Sequence, residues 1–237
     1  MVIAAVMAGG SGSRMGCTDV PKQFINLGSK PVIIHTLNKF LYHPQVDKVV
    51  VMCPSQWVSY TQTLIEKFLP DAQGKIFVSK GGKTRNATLE NAIGFIYEHL
   101  RPDEGSVILT HDAVRPFVTA DIISENIAAA SLHGACNTAW GATDTLAVSR
   151  DGVFIEEVPD RSVYYHSQTP QSFNLRLLTD TLAELSREEK EKLTDACMIF
   201  AMRGKKVFIV KGSPYNIKIT WPQDLAIAEK LLEADKI

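Results

Sequence analysis

Apolar runs of strand length alternate along the chain with amphipathic stretches of helix length. The runs at 2–7, 48–52, 75–78, 106–110, 137–142 and 207–210 predict strands. The stretches at 32–41, 57–68, 84–100, 119–133, 175–185, 195–203 and 223–232 predict helices. In 84–100, for example, Leu89, Ala92, Ile93 and Ile96 recur at the spacing of one helix face. Strands and helices in alternation predict βαβ units and a mostly parallel sheet covered on both faces. Ligands of such sheets sit beyond the carboxyl ends of the strands. The segments following those ends are 9–16, 81–86, 111–116 and 142–145.

One stretch departs from the pattern. Residues 145–149 and 153–158 are short strand candidates joined by Arg150-Asp151-Gly152, a hairpin signal. A polar and aromatic segment follows, from Asp160 to Gln171. Its apolar positions are too sparse to bury two faces. The segment at about 143–171 therefore reads as an arm projecting from a single domain spanning 1–237. An arm of this kind often finds its missing partner on a second subunit.

Composition narrows the ligand class. Apolar residues make up 45% and charged residues 22% of the 237 positions, and the net charge is −1. There is no broad basic field for nucleic acid or an anionic membrane, so anion binding must be local. Cys17, Cys53, Cys136 and Cys197 are scattered, with no zinc spacing, which predicts unpaired thiols in a reducing compartment. The first apolar run is too short for a secretory leader, and no run approaches the ~18 residues that span a bilayer. The expected location is the cytoplasm.

The chemistry begins where the first predicted strand ends, in Ala8-Gly9-Gly10-Ser11-Gly12-Ser13-Arg14-Met15-Gly16, with Pro21-Lys22-Gln23 just behind. Glycines let backbone N–H groups close around oxyanions, and Arg14 and Lys22 add positive charge. Two better-known glycine motifs fail at single positions. A Walker A loop requires Lys where Cys17 stands, and a dinucleotide fingerprint requires Gly where Met15 stands. The acid that such a fingerprint expects on the second strand is absent from Val51-Met52-Cys53-Pro54, which argues against a nicotinamide cofactor. A second glycine turn, Lys80-Gly81-Gly82-Lys83-Thr84-Arg85-Asn86, opens a helix; Thr84 or Asn86 would cap it, or the turn would touch a nucleotide. His111-Asp112-Ala113-Val114-Arg115-Pro116 ends a strand. Asp112 there suits Mg²⁺, which takes one or two carboxylates plus substrate phosphates, or it pairs with Arg115. Lys218 lies between Ile217 and Ile219 and faces away from both, as a substrate contact or a solvated side chain; Arg161 on the arm carries the same alternatives. The six histidines form no triad with a serine or cysteine, and Gly-x-Ser-x-Gly is absent, so hydrolase chemistry has little support.

Taken together, these segments resemble the cytidylyltransferases that activate small polyol phosphates. The likeness runs through the 8–16 loop, Pro21-Lys22-Gln23, Gly81-Gly82, His111 to Pro116, Gln168-Thr169-Pro170-Gln171, Thr194-Asp195 and Asn216-Ile217-Lys218, in that order. It implies an α/β fold: a Rossmann-like nucleotidyltransferase three-layer sandwich with a mostly parallel sheet and a projecting, dimerising β-arm. It implies that CTP and a polyol phosphate give a CDP-polyol and pyrophosphate in the presence of Mg²⁺. By the same resemblance Arg14 and Lys22 act on the transition state. Arg161, Lys218, Arg115, Thr145 and Thr194 position the acceptor. Met7, Ala8, Gly9 and Gly10 hold CTP together with Gly82, Lys83, Thr84, Arg85, Asn86, Ala87 and Thr88. Asp112 lies near the metal and the ribose.

Within that family the ribitol branch is the nearer. Tyr215 precedes Asn216-Ile217-Lys218, and Ala196 follows Thr194-Asp195, where the methylerythritol branch more often has acids. The expected product is CDP-ribitol, a precursor of ribitol-containing wall or capsule polymers, with methylerythritol phosphate as the alternative acceptor. The chain departs from both branches at Lys83-Thr84, where an aspartate commonly precedes the arginine. The chemistry needs no histidine base, because the attacking group is a phosphate monoester whose second pKa is near ~6.

Overall fold

The computed structural model describes residues 1–10 and 20–234. In chain order it holds β1 (Val2–Met7), the short hairpin β2 (Asn26–Leu27) and β3 (Lys30–Pro31), α1 (Val32–Leu41), β4 (Lys48–Cys53), α2 (Val58–Phe68), β5 (Ile76–Lys80), α3 (Arg85–His99) and β6 (Val107–Asp112). Then follow α4 (Ala120–His133), β7 (Ala135–Gly141), β8 (Tyr165–Asn174), α5 (Leu175–Ala183), α6 (Arg187–Lys192), α7 (Cys197–Ala201), β9 (Phe208–Lys211) and α8 (Pro222–Glu233).

Seven strands form one sheet in the order β5-β4-β1-β6-β8-β7-β9. β5, β4, β1 and β6 are parallel, and β9 is parallel to β7. Only β8 runs against its neighbours β6 and β7. The central strands are apolar on both faces, as a doubly covered sheet requires. Ala4, Val6, Val49, Val51 and Leu109 pack with α1, α2 and α4 on one side. Ile3, Ala5, Val50, Met52 and Ile108 pack with α3, α5 and α7 on the other. The result is the expected three-layer sandwich. No described helix is long and apolar enough to cross a membrane.

Register matters for the site. Met7 at the end of β1 lies opposite Met52 of β4 and Asp112 of β6. Three strand ends are thereby level at one edge. A third, smaller core of Leu27, Val32, Val114, Phe117, Ile219 and Ala228 packs α8 and the β2–β3 hairpin beneath that edge. It fixes the segment 216–219, whose Ile219 N–H donates to the Val114 carbonyl at 2.9 Å.

Three elements escape the hydropathy pattern. α6 carries only charged residues and owes its start to a capping box between Ser186 and Glu189. The β2–β3 hairpin is too short to show a period. β8 is the consequential difference: residues 165–171, expected in the arm, are its first part, and 168–173 are buried. Hydrogen bonds to its neighbours explain how a polar strand is tolerated there. The Ser172 hydroxyl donates to Asn126 Oδ1 at 3.0 Å. The Gln171 amide donates to Asn137 Oδ1 at 3.1 Å and to Asp195 Oδ2 at 2.5 Å. Gln171 Oε1 is the exception, buried without a partner among the described residues; buried polar groups of this kind leave no hydrophobic signature.

The segment 142–164 leaves the sheet and returns where the Ala142 N–H donates to the Tyr164 carbonyl at 2.9 Å. Its expected hairpin is reduced to one bridge, Val148 with Glu157. The turn is closed by the Asp151 carboxylate, which accepts from the Val153 and Phe154 N–H groups. Val153, Phe154, Ile155, Val158 and Val163 are all exposed along this segment.

Candidate functional site

The level strand ends open onto a cavity of about 280 Å³. Ala8, Gly9 and Gly10 leave β1 along one wall, with Lys22 and Gln23 behind them. Residues 82–85 and Thr88 form a second wall, and Asp112 and Lys218 a third. The loop after β1 stays in line with the sheet, because the Ala8 N–H donates to the Met52 carbonyl at 2.8 Å. Gln23 steadies it from behind: its side-chain amide donates to the Ala8 carbonyl at 2.7 Å from a fully buried position.

The second wall is a helix entrance. Thr84 caps α3, its hydroxyl accepting from the Ala87 N–H at 3.1 Å. Thr88, one turn in, accepts from the Gly82 N–H at 3.0 Å and donates to the Thr84 carbonyl at 2.7 Å. This folding of the turn onto the helix leaves no room for a side chain at Gly82, where a Cβ would come within 2.4 Å of the Ala87 Cβ. The partial positive charge of the α3 N-terminus thus faces the same cavity as Lys22, Lys83 and Arg85. Helix entrances flanked by cations are phosphate sites.

Among the described residues, the one carboxylate that lines the cavity is that of Asp112. Asp112 Oδ1 accepts from Arg85 Nη1 at 2.8 Å. Its Oδ2 meets Lys218 Nζ at 2.9 Å and Arg115 Nε at 3.4 Å. Burial opposes the charge on Asp112, but Arg85, Lys218 and Arg115 outweigh it and hold the carboxyl far below the usual range. Asp112 is therefore ionised at any physiological pH. Among the described residues its single negative charge is met by three positive ones, a net excess that suits a polyanion.

Beneath the carboxylate lies a neutral polar scaffold. The Asp112 N–H donates to Thr169 Oγ1 at 3.1 Å, and Thr169 Oγ1 lies 3.0 Å from His111 Nδ1. His111 Nε2 lies 3.0 Å from the Arg115 carbonyl. A carbonyl only accepts, so Nε2 carries the proton and Nδ1 accepts from the threonine. Arg115 Nη1 donates to the Asn216 carbonyl at 2.7 Å, and Asn216 Nδ2 donates to the Thr169 carbonyl at 2.9 Å. The loop after β6, the middle of β8 and the segment bearing Lys218 are stitched together.

The structure brings together Met7, Ala8, Gly9, Gly10, Lys22, Gly82, Lys83, Thr84, Arg85, Thr88, Asp112 and Lys218 around this one cavity. Ala87 instead abuts Gly82, and the Asn86 amide turns away to the carbonyls of Lys190 and Leu193. Arg115 is buried under Asp112 rather than lining the cavity. Thr145 and Arg161 lie exposed on the projecting segment, where Arg161 Nη1 donates to the Thr143 carbonyl at 2.8 Å. Thr194 is exposed beside α7, its hydroxyl 3.1 Å from the Met198 sulfur. Arg14 lies outside the described residues. Sequence reasoning gave no role to Gln23, Thr169 or Asn216, although each stands inside a motif it quoted. Nothing in a linear pattern distinguishes a buried amide from an exposed one.

The donor set can be tested against a divalent cation. Among the described residues no group of three or more His, Cys, Asp or Glu side chains could hold a metal ion. A carboxylate offers about four lone-pair sites. Arg85, Arg115 and Lys218 take three of those of Asp112. One remains, on Oδ1. That fits Mg²⁺ held by one carboxylate with substrate phosphates and water completing the shell.

Comparison with known proteins places this geometry. The model of the family described as IspD, 2-C-methyl-D-erythritol 4-phosphate cytidylyltransferase, matches residues 2–234. A ribitol-5-phosphate cytidylyltransferase of Streptococcus pneumoniae serotype 2 is 44% identical over 237 residues, covering 99% of this chain and 100% of that protein. Among solved structures, the 4-diphosphocytidyl-2C-methyl-D-erythritol synthase of Anaerococcus prevotii is 27% identical, with a TM-score of 0.79 over 98% of this chain and 96% of that one. The 2-C-methyl-D-erythritol 4-phosphate cytidylyltransferase of Francisella tularensis is 28% identical, with a TM-score of 0.78 over 97% and 98% of the two chains.

Burial pushes the His111 pKa down to about 4. In the unfolded chain a histidine titrates near ~6.5. Between these values the unfolded state holds more protons than the folded state, so stability falls as pH drops through that window. Above about pH 6.5 this contribution to stability is constant, and below about pH 4 the loss is complete, at roughly 3 kcal/mol. Urea unfolding at about pH 7 and about pH 4.5 will show a larger loss for the natural protein than for His111→Gln, by roughly 2–3 kcal/mol. Equal losses would mean that His111 does not stay neutral in the fold.

Proposed function

The chain belongs to the 2-C-methyl-D-erythritol 4-phosphate cytidylyltransferase family, and from that premise we propose that it transfers the cytidylyl group of CTP to D-ribitol 5-phosphate, giving CDP-ribitol and pyrophosphate. It is a nucleotidyltransferase. The observation that carries the choice of acceptor is the 44% identity, end to end, with a ribitol-5-phosphate cytidylyltransferase. Methylerythritol phosphate is the second reading, favoured by the family's description and by solved relatives at 27–28% identity.

The chemistry follows from charge. An oxygen of the acceptor phosphate attacks the α-phosphorus of CTP. A new P–O bond forms there as the bond from the α-phosphorus to the bridging oxygen breaks, and pyrophosphate leaves. The attacking oxygen is already ionised, so the protein's task is to bring two polyanions together and to stabilise charge developing at phosphorus. The glycines after β1 and the α3 entrance receive the triphosphate. Lys22 and Arg14 act at the α-phosphorus. Lys218, held beside Asp112, takes the acceptor phosphate. Mg²⁺ bound to Asp112 and the triphosphate would supply further neutralisation of phosphate charge.

The projecting segment completes this reading. Arg161 and Thr145 do not line the cavity of their own chain, and the segment that carries them exposes a row of apolar side chains. An exposed row of this kind is an association surface. In a homodimer the segment would lie across the neighbouring subunit and deliver Arg161 to its acceptor site. Cys53, Cys136 and Cys197 are free thiols, which suits the cytoplasm.

Pyrophosphate release with CTP and each acceptor in turn tests the proposal; ribitol 5-phosphate will be the better substrate, and preference for methylerythritol phosphate would replace the first reading by the second. Lys22→Ala will lower kcat by roughly 10²–10³-fold, as loss of a charge-stabilising donor does elsewhere; undiminished turnover would remove Lys22 from the chemistry. Light scattering will give twice the chain mass in solution. A fully active monomer would refute the shared site.

A further inference from the structure

Gln168 is the first buried residue of β8 after the projecting segment, and the chemistry described so far does not use it. Its amide grips the loop after β9 at two points. Nε2 donates to the Ser213 carbonyl at 2.7 Å, and Oε1 accepts from the Ser213 N–H at 3.3 Å. The same oxygen accepts from Asn216 Nδ2 at 3.2 Å. The side chain thus pairs with Ser213 as a neighbouring strand would, and both ends of the amide are occupied. The fit is close: at Gly212 a Cβ would come within 2.5 Å of Gln168 Oε1.

Two residues beyond Asn216 stands Lys218. Its segment is pinned on one side at Asn216 and on the other by the Ile219 N–H on the Val114 carbonyl. The second pin belongs to the small core under the site; the first depends on Gln168, Thr169 and Arg115. Four residues before Gln168, the projecting segment closes at Tyr164, just after Arg161. Gln168 therefore lies at the junction between the segment that carries Arg161 and the loop that carries Lys218. We infer that Gln168 is a positioning residue for the acceptor phosphate, setting the place of Lys218 relative to the root of the projecting segment. This rests on the transfer to a polyol phosphate set out above. It does not touch the nucleotide walls, which come from the ends of β1 and the start of α3.

The test is a steady-state comparison using whichever polyol phosphate the natural enzyme turns over. A preference for methylerythritol phosphate then overturns the proposed acceptor while the Gln168 comparison still stands. Gln168→Ala will raise KM for the polyol phosphate about tenfold, the effect of losing roughly one net hydrogen bond to an ordered loop, and will leave KM for CTP within about twofold. Because Gln168 acts through Lys218, adding Gln168→Ala to Lys218→Ala will produce no further rise. Gly212→Ala, whose Cβ would push on the same amide, will give the same selective change and decides the matter should Gln168→Ala fail to fold. Equal rises in both KM values, no rise in either, or effects of Gln168→Ala and Lys218→Ala that multiply would each overturn the inference.

Discussion

The carboxylate of Asp112 holds three cations that would otherwise repel one another: Arg85 from the start of α3, Arg115 from the loop after β6 and Lys218 from the segment before α8. Positions separated by more than a hundred residues meet at one pair of oxygens. The arrangement is stable without substrate because the negative charge is present, and it attracts a polyanion because the positive charge is in excess. Removing one partner from such a buried contact leaves an uncompensated charge, which is far costlier than never having had the pair. Both the local fold and the proposed chemistry therefore lean on the same carboxylate.

Below that charged layer the molecule uses neutral polar groups in place of hydrocarbon. His111, Thr169, Asn216, Gln168 and Gln171 are all buried, in a region where a sheet between helix layers is ordinarily apolar. Hydrophobic contacts are non-directional and tolerate small slides. Hydrogen bonds in a low-dielectric interior do not, so a connected polar layer specifies one geometry. The direction is useful here, since Lys218 belongs to no helix or strand of its own. It is placed by bonds from a strand, a loop and a buried arginine.

The projecting segment is organised on the opposite principle. Its residues are mostly exposed, and it is held to itself by one isolated bridge and a turn closed by Asp151. Its exposed valines, isoleucine and phenylalanine are what an arm needs if its core is completed elsewhere. The root of the arm, by contrast, is the first part of β8, where 165–167 pair with β7 and the strand is then bound by both β6 and β7 from Gln171 onward. A loosely packed tip on a tightly held root lets a distant residue such as Arg161 be carried without disturbing the sheet.

Hydrophobic periodicity alone determined the α/β class, most of the strands and the main helices, because burial on two faces or on one stripe writes itself into the order of apolar residues. Glycine spacing and the cations near it indicated the phosphate site, and Asp112, Lys22 and Lys218 were each legible as candidates. The polar strand β8 was not legible: its buried Gln168, Thr169, Gln171 and Ser172 look like surface residues until their partners are in place. The pairing of Asp112 with Arg115 was one of the two readings the sequence offered, but nothing in it showed that Lys218 and Arg85 join the same carboxylate, or that Asn86 turns away. Charge and hydrogen-bond partners are properties of pairs, and these pairs are long-range. Only the folded chain decides which cation a carboxylate holds and which amide a loop must meet.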